Sequence, residues 1–240
     1  MIRAFLTVAT LLLVAGCGGE TEPTAKKKAD KPAADIPARE FPTEWADSID
    51  NPWLPLSPGA SWTFEKKTAD GVEDVVLTVT GNTQKVNGVK AIVVTEKVSE
   101  DGELIDDTKT WYAQDVEGNV WNLGETTETH EDGKVETEGW EAGVDGAEAG
   151  IAMLAEPKVG DTYRQMFFEG EAEDQAEVVS LDESVEGPAG SWDGVLLTED
   201  STPLEPEVEH KYYAKGIGPV QQETVKGEKE TVVLTKYDQP

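Results

Sequence analysis

The chain of 240 residues contains one cysteine, two histidines, and 20 Lys and Arg against 49 Asp and Glu. A lone cysteine excludes an internal disulfide, and one cysteine with two histidines excludes a Cys/His zinc cage. A formal charge of −29 carried by so few cations excludes a nucleic-acid interface, because neutralising phosphates takes clustered Lys and Arg. The sequence also lacks long helical periodicity. Its leading apolar run, residues 4–15, holds twelve residues, short of the roughly 20 that a membrane-spanning helix needs.

What is present begins at the N-terminus. Met1-Ile2-Arg3 supplies a basic start, the apolar run follows, and small residues lead out of it. That order describes a secretory signal peptide covering residues 1–16. The segment Val14-Ala15-Gly16-Cys17 resembles the bacterial lipobox. The resemblance implies cleavage after Gly16 and lipid transfer to the Cys17 thiol, which supplies the nucleophile for that transfer. Each buried methylene adds about 0.8 kcal/mol, so two or more acyl chains anchor a chain stably. Gly18 follows the cysteine. Aspartate at that position retains lipoproteins of Gram-negative bacteria in the inner membrane, so an outer-membrane location is expected in such an organism.

Residues 17–40 read as the lipidated N-terminus and a disordered tether. From Gly18 on, the stretch is rich in Pro, Ala, Lys, Thr and acids, and Ile36 is its one large aliphatic residue. Too little apolar surface is available there to offset the entropy of ordering. Lys26, Lys27, Lys28 and Lys31 cluster beside the expected anchor, where a basic segment can lie on anionic lipid or simply keep the linker soluble. Residues 41–240 form a single acidic domain with 44 acids and 14 bases. That charge reads as a solvated surface.

From Trp62 onward, short alternating runs are separated by glycine-containing turns. Residues 75–80, 89–98, 108–114, 176–181, 207–214 and 231–237 are expected strands. Asp101-Gly102, Asp132-Gly133 and Lys226-Gly227 are hairpin signals. Asn51-Pro52-Trp53-Leu54-Pro55-Leu56 reads as an extended lead-in. Residues 147–155 are the one stretch that could turn helically, and Gly150 favours a loop there. The fold class is therefore all-β: an antiparallel meander forming a sandwich or a half-barrel.

A fixed offset relates the two halves. Gly59 and Trp62 recur as Gly160 and Tyr163, and Trp111-Tyr112-Ala113 recurs as Tyr212-Tyr213-Ala214, all 101 residues later. Gly118-Asn119-Val120 matches Gly218-Pro219-Val220 after one deletion. The pattern indicates an internal duplication, with halves at about 58–124 and 158–237 and an insertion over residues 125–157.

Catalytic chemistry is hard to place. A nucleophile needs a base, most often histidine. His130 sits in an expected hairpin among acids, and alternation puts His210 on the face opposite Glu205, Glu207 and Glu209. No enzyme and no cofactor are expected. Residues 47–51 and 169–174 are acidic loops that could attract a divalent cation such as calcium weakly, but neither has EF-hand spacing. Seven tryptophans are expected mainly in the core. Trp111, Tyr112, Tyr212 and Tyr213 are the candidate ligand-binding aromatics, since alternation turns one ring of each pair outward.

Three segments carry a wider similarity. Trp111-Tyr112-Ala113-Gln114-Asp115 with Gly118-Asn119-Val120-Trp121, Lys158-Val159-Gly160-Asp161-Thr162-Tyr163-Arg164-Gln165, and Glu209-His210-Lys211-Tyr212-Tyr213-Ala214 resemble a group of uncharacterised bacterial lipoproteins. The resemblance implies export and lipidation and supplies no mechanism. The expectation is a membrane-anchored, non-catalytic envelope lipoprotein with a binding or structural role and a glycan, lipid or protein partner. The alternative is a carrier or sensor of a hydrophobic ligand held in a barrel-like cavity. A cavity left unfilled by side chains would favour the carrier.

Overall fold

The structure is a computed structural model describing residues 36–240. The signal peptide, Cys17 and the lysine cluster lie outside the described residues. Fourteen strands and no helix occur among the described residues. The first half comprises β1 (Ser61–Lys67), β2 (Val72–Val86), β3 (Val89–Glu100), β4 (Glu103–Gln114), β5 (Val120–Glu131), β6 (Lys134–Glu141) and β7 (Glu148–Met153). The second comprises β8 (Thr162–Arg164), β9 (Met166–Phe167), β10 (Gln175–Gly187), β11 (Gly190–Ser201), β12 (Val208–Ala214), β13 (Gly218–Lys226) and β14 (Thr231–Asp238).

Five of the six expected strand segments fall wholly within strands, and residues 207–214 begin one residue ahead of β12. Asp101-Gly102 and Asp132-Gly133 form two-residue turns with both residues at positive φ, which matches the twist of the flanking strands. Asn87-Gly88 is a third turn of that kind. Gly227 instead begins a longer loop between β13 and β14. Residues 125–157, between the two repeats, finish β5 and supply β6 and β7, which continue the sheet. Residues 147–155 are neither helix nor loop. Their centre is β7, and Gly150 is kept there because a Cβ would lie 2.3 Å from the Gln165 carbonyl carbon.

The strands form one antiparallel sheet in the order β8-β10-β11-β12-β13-β14-β1-β2-β3-β4-β5-β7-β9, with β6 paired to β5 off that path. Two meanders are thus joined where β14 pairs with β1. The path starts on β8 and finishes on β9, which are separated along the chain by Gln165 alone. The sheet therefore wraps around until its ends meet on one segment. It is not a closed barrel, because β8 pairs with β10 and β9 with β7 rather than with each other.

The 101-residue offset is visible in the backbone. Gly59 N donates to Val79 O and Gly160 N to Val178 O, each at 2.8 Å. Ala60 N donates to Ser57 O and Asp161 N to Lys158 O, so the same turn precedes β1 and β8. Gly59 and Gly160 have φ of 96° and 90°, a region that favours glycine. Trp62 and Tyr163 are each the second residue of their strand and are fully buried. Between these landmarks the spacing drifts: Ile92 and Leu196, which face Tyr112 and Tyr213, lie 104 residues apart.

The lead-in seals one end of the sheet. Leu54 and Leu56 are buried, and Asn51 Nδ2 donates to Gly118 O and to Leu154 O. Gly216 N donates to Pro52 O at 2.7 Å, so the same segment grips the corresponding loop of the second half. The Trp111–Trp121 motif is built into this seal. Gln114 Oε1 accepts from Asp50 N and Asn51 N. Buried Asp115 accepts from Asn119 N at 2.9 Å, Asn119 Nδ2 at 2.9 Å and Trp121 Nε1 at 2.8 Å. Phe41, Trp45 and Trp121 close over it as an aromatic cluster with centroids 5.4 to 6.2 Å apart.

Asp115→Ala strands those three donors in the interior. The expected loss is roughly 3 kcal/mol of unfolding free energy, read as a lowered urea midpoint. An unchanged midpoint would show that the motif is dispensable to the fold.

Candidate functional site

Alternation decides which side chains enter the wrapped sheet. On β1 these are Trp62, Phe64 and Lys66; on β12 they are Glu209, Lys211 and Tyr213. The interior is therefore filled by aromatic and aliphatic groups plus a set of buried charges. Lys211 Nζ lies 3.0 Å from Asp200 Oδ2 and 3.6 Å from Glu209 Oε2. Asp200 also accepts from Gln165 Nε2 and Thr198 Oγ1, and Glu209 accepts from Gln222 Nε2. Despite its burial, Lys211 is held above the ordinary lysine pKa by these two carboxylates. Lys66 Nζ sits 3.0 Å from Glu73 and 3.4 Å from Glu230.

Two other buried acids of the first half differ. Glu96 on β3 and Glu125 on β5 are buried, and neither forms an ion pair of that kind. No well-aligned hydrogen bond reaches either Glu125 carboxylate oxygen or leaves the Trp140 indole nitrogen. Burial pushes the Glu125 pKa from 4.5 to about 8, Asp174 adds to the rise, and a weak hydrogen bond from the Trp140 indole opposes it. Glu96 is also raised well above the usual range by burial and by Glu125, with Lys66 pulling it down. Burial raises Asp106 as well, although its hydrogen bond from Thr129 works against this.

Glu125 and Trp140, a directly paired set on β5 and β6, line a cleft of about 370 Å³. That volume lies in the range of small-ligand sites. Trp111 and Phe168 contribute further ring surface, and the turn bearing Val144 and Asp145 forms another edge. Gly124 makes the arrangement possible: at its φ of 139° a Cβ would lie 2.9 Å from the Trp111 ring and 2.4 Å from Trp140 O. A second void, bounded by Gln165, Asp174, Asp200 and Glu209, measures about 10 Å³, room for about one water.

The candidate aromatics separate. Trp111 lines the cleft. Tyr112 and Tyr213 point inward and are buried. Tyr212 lies half-buried on the outer face, its hydroxyl donating to Glu223 Oε1 at 2.8 Å. His210 is also on that outer face, 3.4 Å from Glu199 and edge-on to Tyr212. His130 pairs with Val135 in the β5–β6 hairpin. In the acidic loops, Asp50 accepts from Gln114 Nε2, and Glu173 accepts from Gly170 N. Among the described residues, no group of three or more His, Cys, Asp or Glu is arranged to hold a metal ion.

Glu125 and Phe168 are not among the residues the sequence singles out, while Trp140 is buried in the core, as expected of the tryptophans, and also lines the cleft. The usable signal was alternation along β5, which keeps Glu125 in phase with Thr127 and Leu123, combined with the small Gly124 and Gly139 beside it.

Neither a family model nor a curated protein matches the chain. Two solved structures resemble it. One, from Bacteroides fragilis, is provisionally described as an exported protein with a YmcC-like fold. Its TM-score is 0.47 at 16% identity, covering 78% of this chain and 99% of that one. The other, from Parabacteroides distasonis, is provisionally described as a lipoprotein. Its TM-score is 0.44 at 10% identity, covering 80% of this chain and 100% of that one.

The buried acids set a pH dependence. Glu125 keeps its proton in the folded state up to about pH 8, whereas the unfolded chain loses it near 4.5. The unfolded state thus binds fewer protons across that window, so stability falls as pH rises through it. Glu125→Gln is expected to flatten the decline of the urea midpoint between pH 5 and pH 8. The difference from wild type separates this carboxyl from general repulsion among surface acids. Parallel pH profiles would contradict the buried-acid account.

Proposed function

We propose that this protein is an envelope lipoprotein, anchored through lipid on Cys17, whose acidic β-domain is a non-catalytic binding module. Its ligand enters the β5–β6 cleft. The observation that carries this reading is the poorly bonded pair at the cleft wall. A buried carboxyl and a buried indole N–H that share only a weak hydrogen bond each cost stability, and an incoming polar ligand recovers that cost. The separation of His130 and His210 supports a binding role over catalysis, since neither stands beside a nucleophile in the cleft. A hydrophobic carrier has less support, because Trp62, Tyr163, Tyr213 and Leu234 occupy the sheet interior.

Anchoring follows from the lipobox, with outer-membrane placement if the organism is Gram-negative. Cys17→Ser is expected to leave a precursor of uncleaved mass that takes up no labelled palmitate. Recovery of a normally processed, membrane-bound Cys17→Ser protein would overturn the anchor.

A further inference from the structure

We propose that the β5–β6 cleft binds a small organic cation: an ammonium compound that also carries a hydroxyl or carbonyl oxygen. The inference rests on the reading of the cleft as a binding site and adds the chemical class of what it takes.

Three rings, Trp111, Trp140 and Phe168, line the cleft. Aromatic faces carry negative potential and attract an ammonium group, most strongly when it is desolvated. The carboxylates of Glu138, Glu141 and Asp145 lie around the same cleft, and no Lys, Arg or His does. An anionic ligand would therefore meet only like charge. A phosphate-linked lipid headgroup meets the same objection, so the ligand is a free ammonium compound.

Two poorly bonded groups sharpen the match. Glu125 is fully buried with no well-aligned hydrogen bond to either carboxylate oxygen, and the Trp140 indole beside it offers only a weak one. A positive charge placed there favours the ionised carboxyl, which burial otherwise keeps protonated. The indole N–H gains a stronger acceptor in the ligand's oxygen. In the second half the corresponding demand is met internally, because Lys211 lies between Asp200 and Glu209. The proposed ligand does for Glu125 what Lys211 does there.

Isothermal titration of the whole chain in detergent tests this with three probes. They are choline, its uncharged isostere 3,3-dimethyl-1-butanol, and N-acetylglucosamine as a neutral sugar. Choline is expected to bind saturably and the isostere roughly ten-fold more weakly. Glu125→Gln should lower choline affinity by roughly ten-fold or more. Glu103→Gln, an exposed acid in the β3–β4 hairpin, should leave it unchanged. Equal binding of choline and its isostere would overturn the proposal, as would undiminished choline binding by Glu125→Gln. If that variant fails to fold, the wild-type comparison of choline with its isostere still decides. Binding of the sugar alone would overturn the cation while keeping the cleft as a ligand site. Binding of none would overturn both.

Discussion

The structure depends on holding two ammonium groups inside a wrapped sheet. Lys66 and Lys211 are both almost fully buried, and each is met by two carboxylates: Glu73 and Glu230 for Lys66, Asp200 of β11 and Glu209 of its own strand for Lys211. Such pairs gain little over hydrophobic packing, but losing one partner leaves a buried charge uncompensated at about 3–5 kcal/mol. Their value lies in register. A slip of one residue in β12 would turn Lys211 outward and His210 inward. The ion pairs therefore penalise the pairings that a repetitive, alternating sequence could otherwise adopt.

The two meanders share a frame and diverge in what fills it. Tyr112 and Tyr213 point inward at equivalent places, but Lys211 and Glu209 have Thr110 and Thr108 as their counterparts 101 residues earlier. Lys211 faces Gln222 across the ladder, whereas Thr110 faces Glu125. The second half thus closes its polar interior with its own side chains. The first half sets small hydroxyls and an unpaired acid in the same layer, beside its cleft. The two halves share one scaffold, and the residues at a few inward positions distinguish a sealed half from an open one.

Much of the fold was legible because it is written in local signals. Alternation marked β2, β3, β4, β10, β12 and β14, and Asp-Gly pairs marked two turns. The repeat was legible through its aromatic and glycine landmarks, since turn and strand start are fixed by neighbours in sequence. Strand β6 was not legible because it is exposed along most of its length and shows no apolar alternation. β7 misled because Gly150 serves a contact with Gln165, which no local pattern announces. Trp111 could be named as a site residue because one ring of its pair had to face outward. Glu125 was hidden among 44 acids; only its pairing opposite Thr110 and Trp140 sets it apart. The Trp111–Trp121 motif illustrates the converse. Its distinctiveness reflects Asp115 and the end seal rather than chemistry.

The pairing of β1 with β14 bears on the order of folding. The first strand of the sheet waits for the last, and Asn51 and Pro52 wait for loops at positions 118 and 216. Closing contacts of such sequence separation is slow, because loop-closure entropy is lost before the contacts reward it. Until residue 238 has emerged, β1 keeps one edge exposed to aggregation. Each meander can zip from hairpin to hairpin, but the native sheet is completed only as β14 docks on β1.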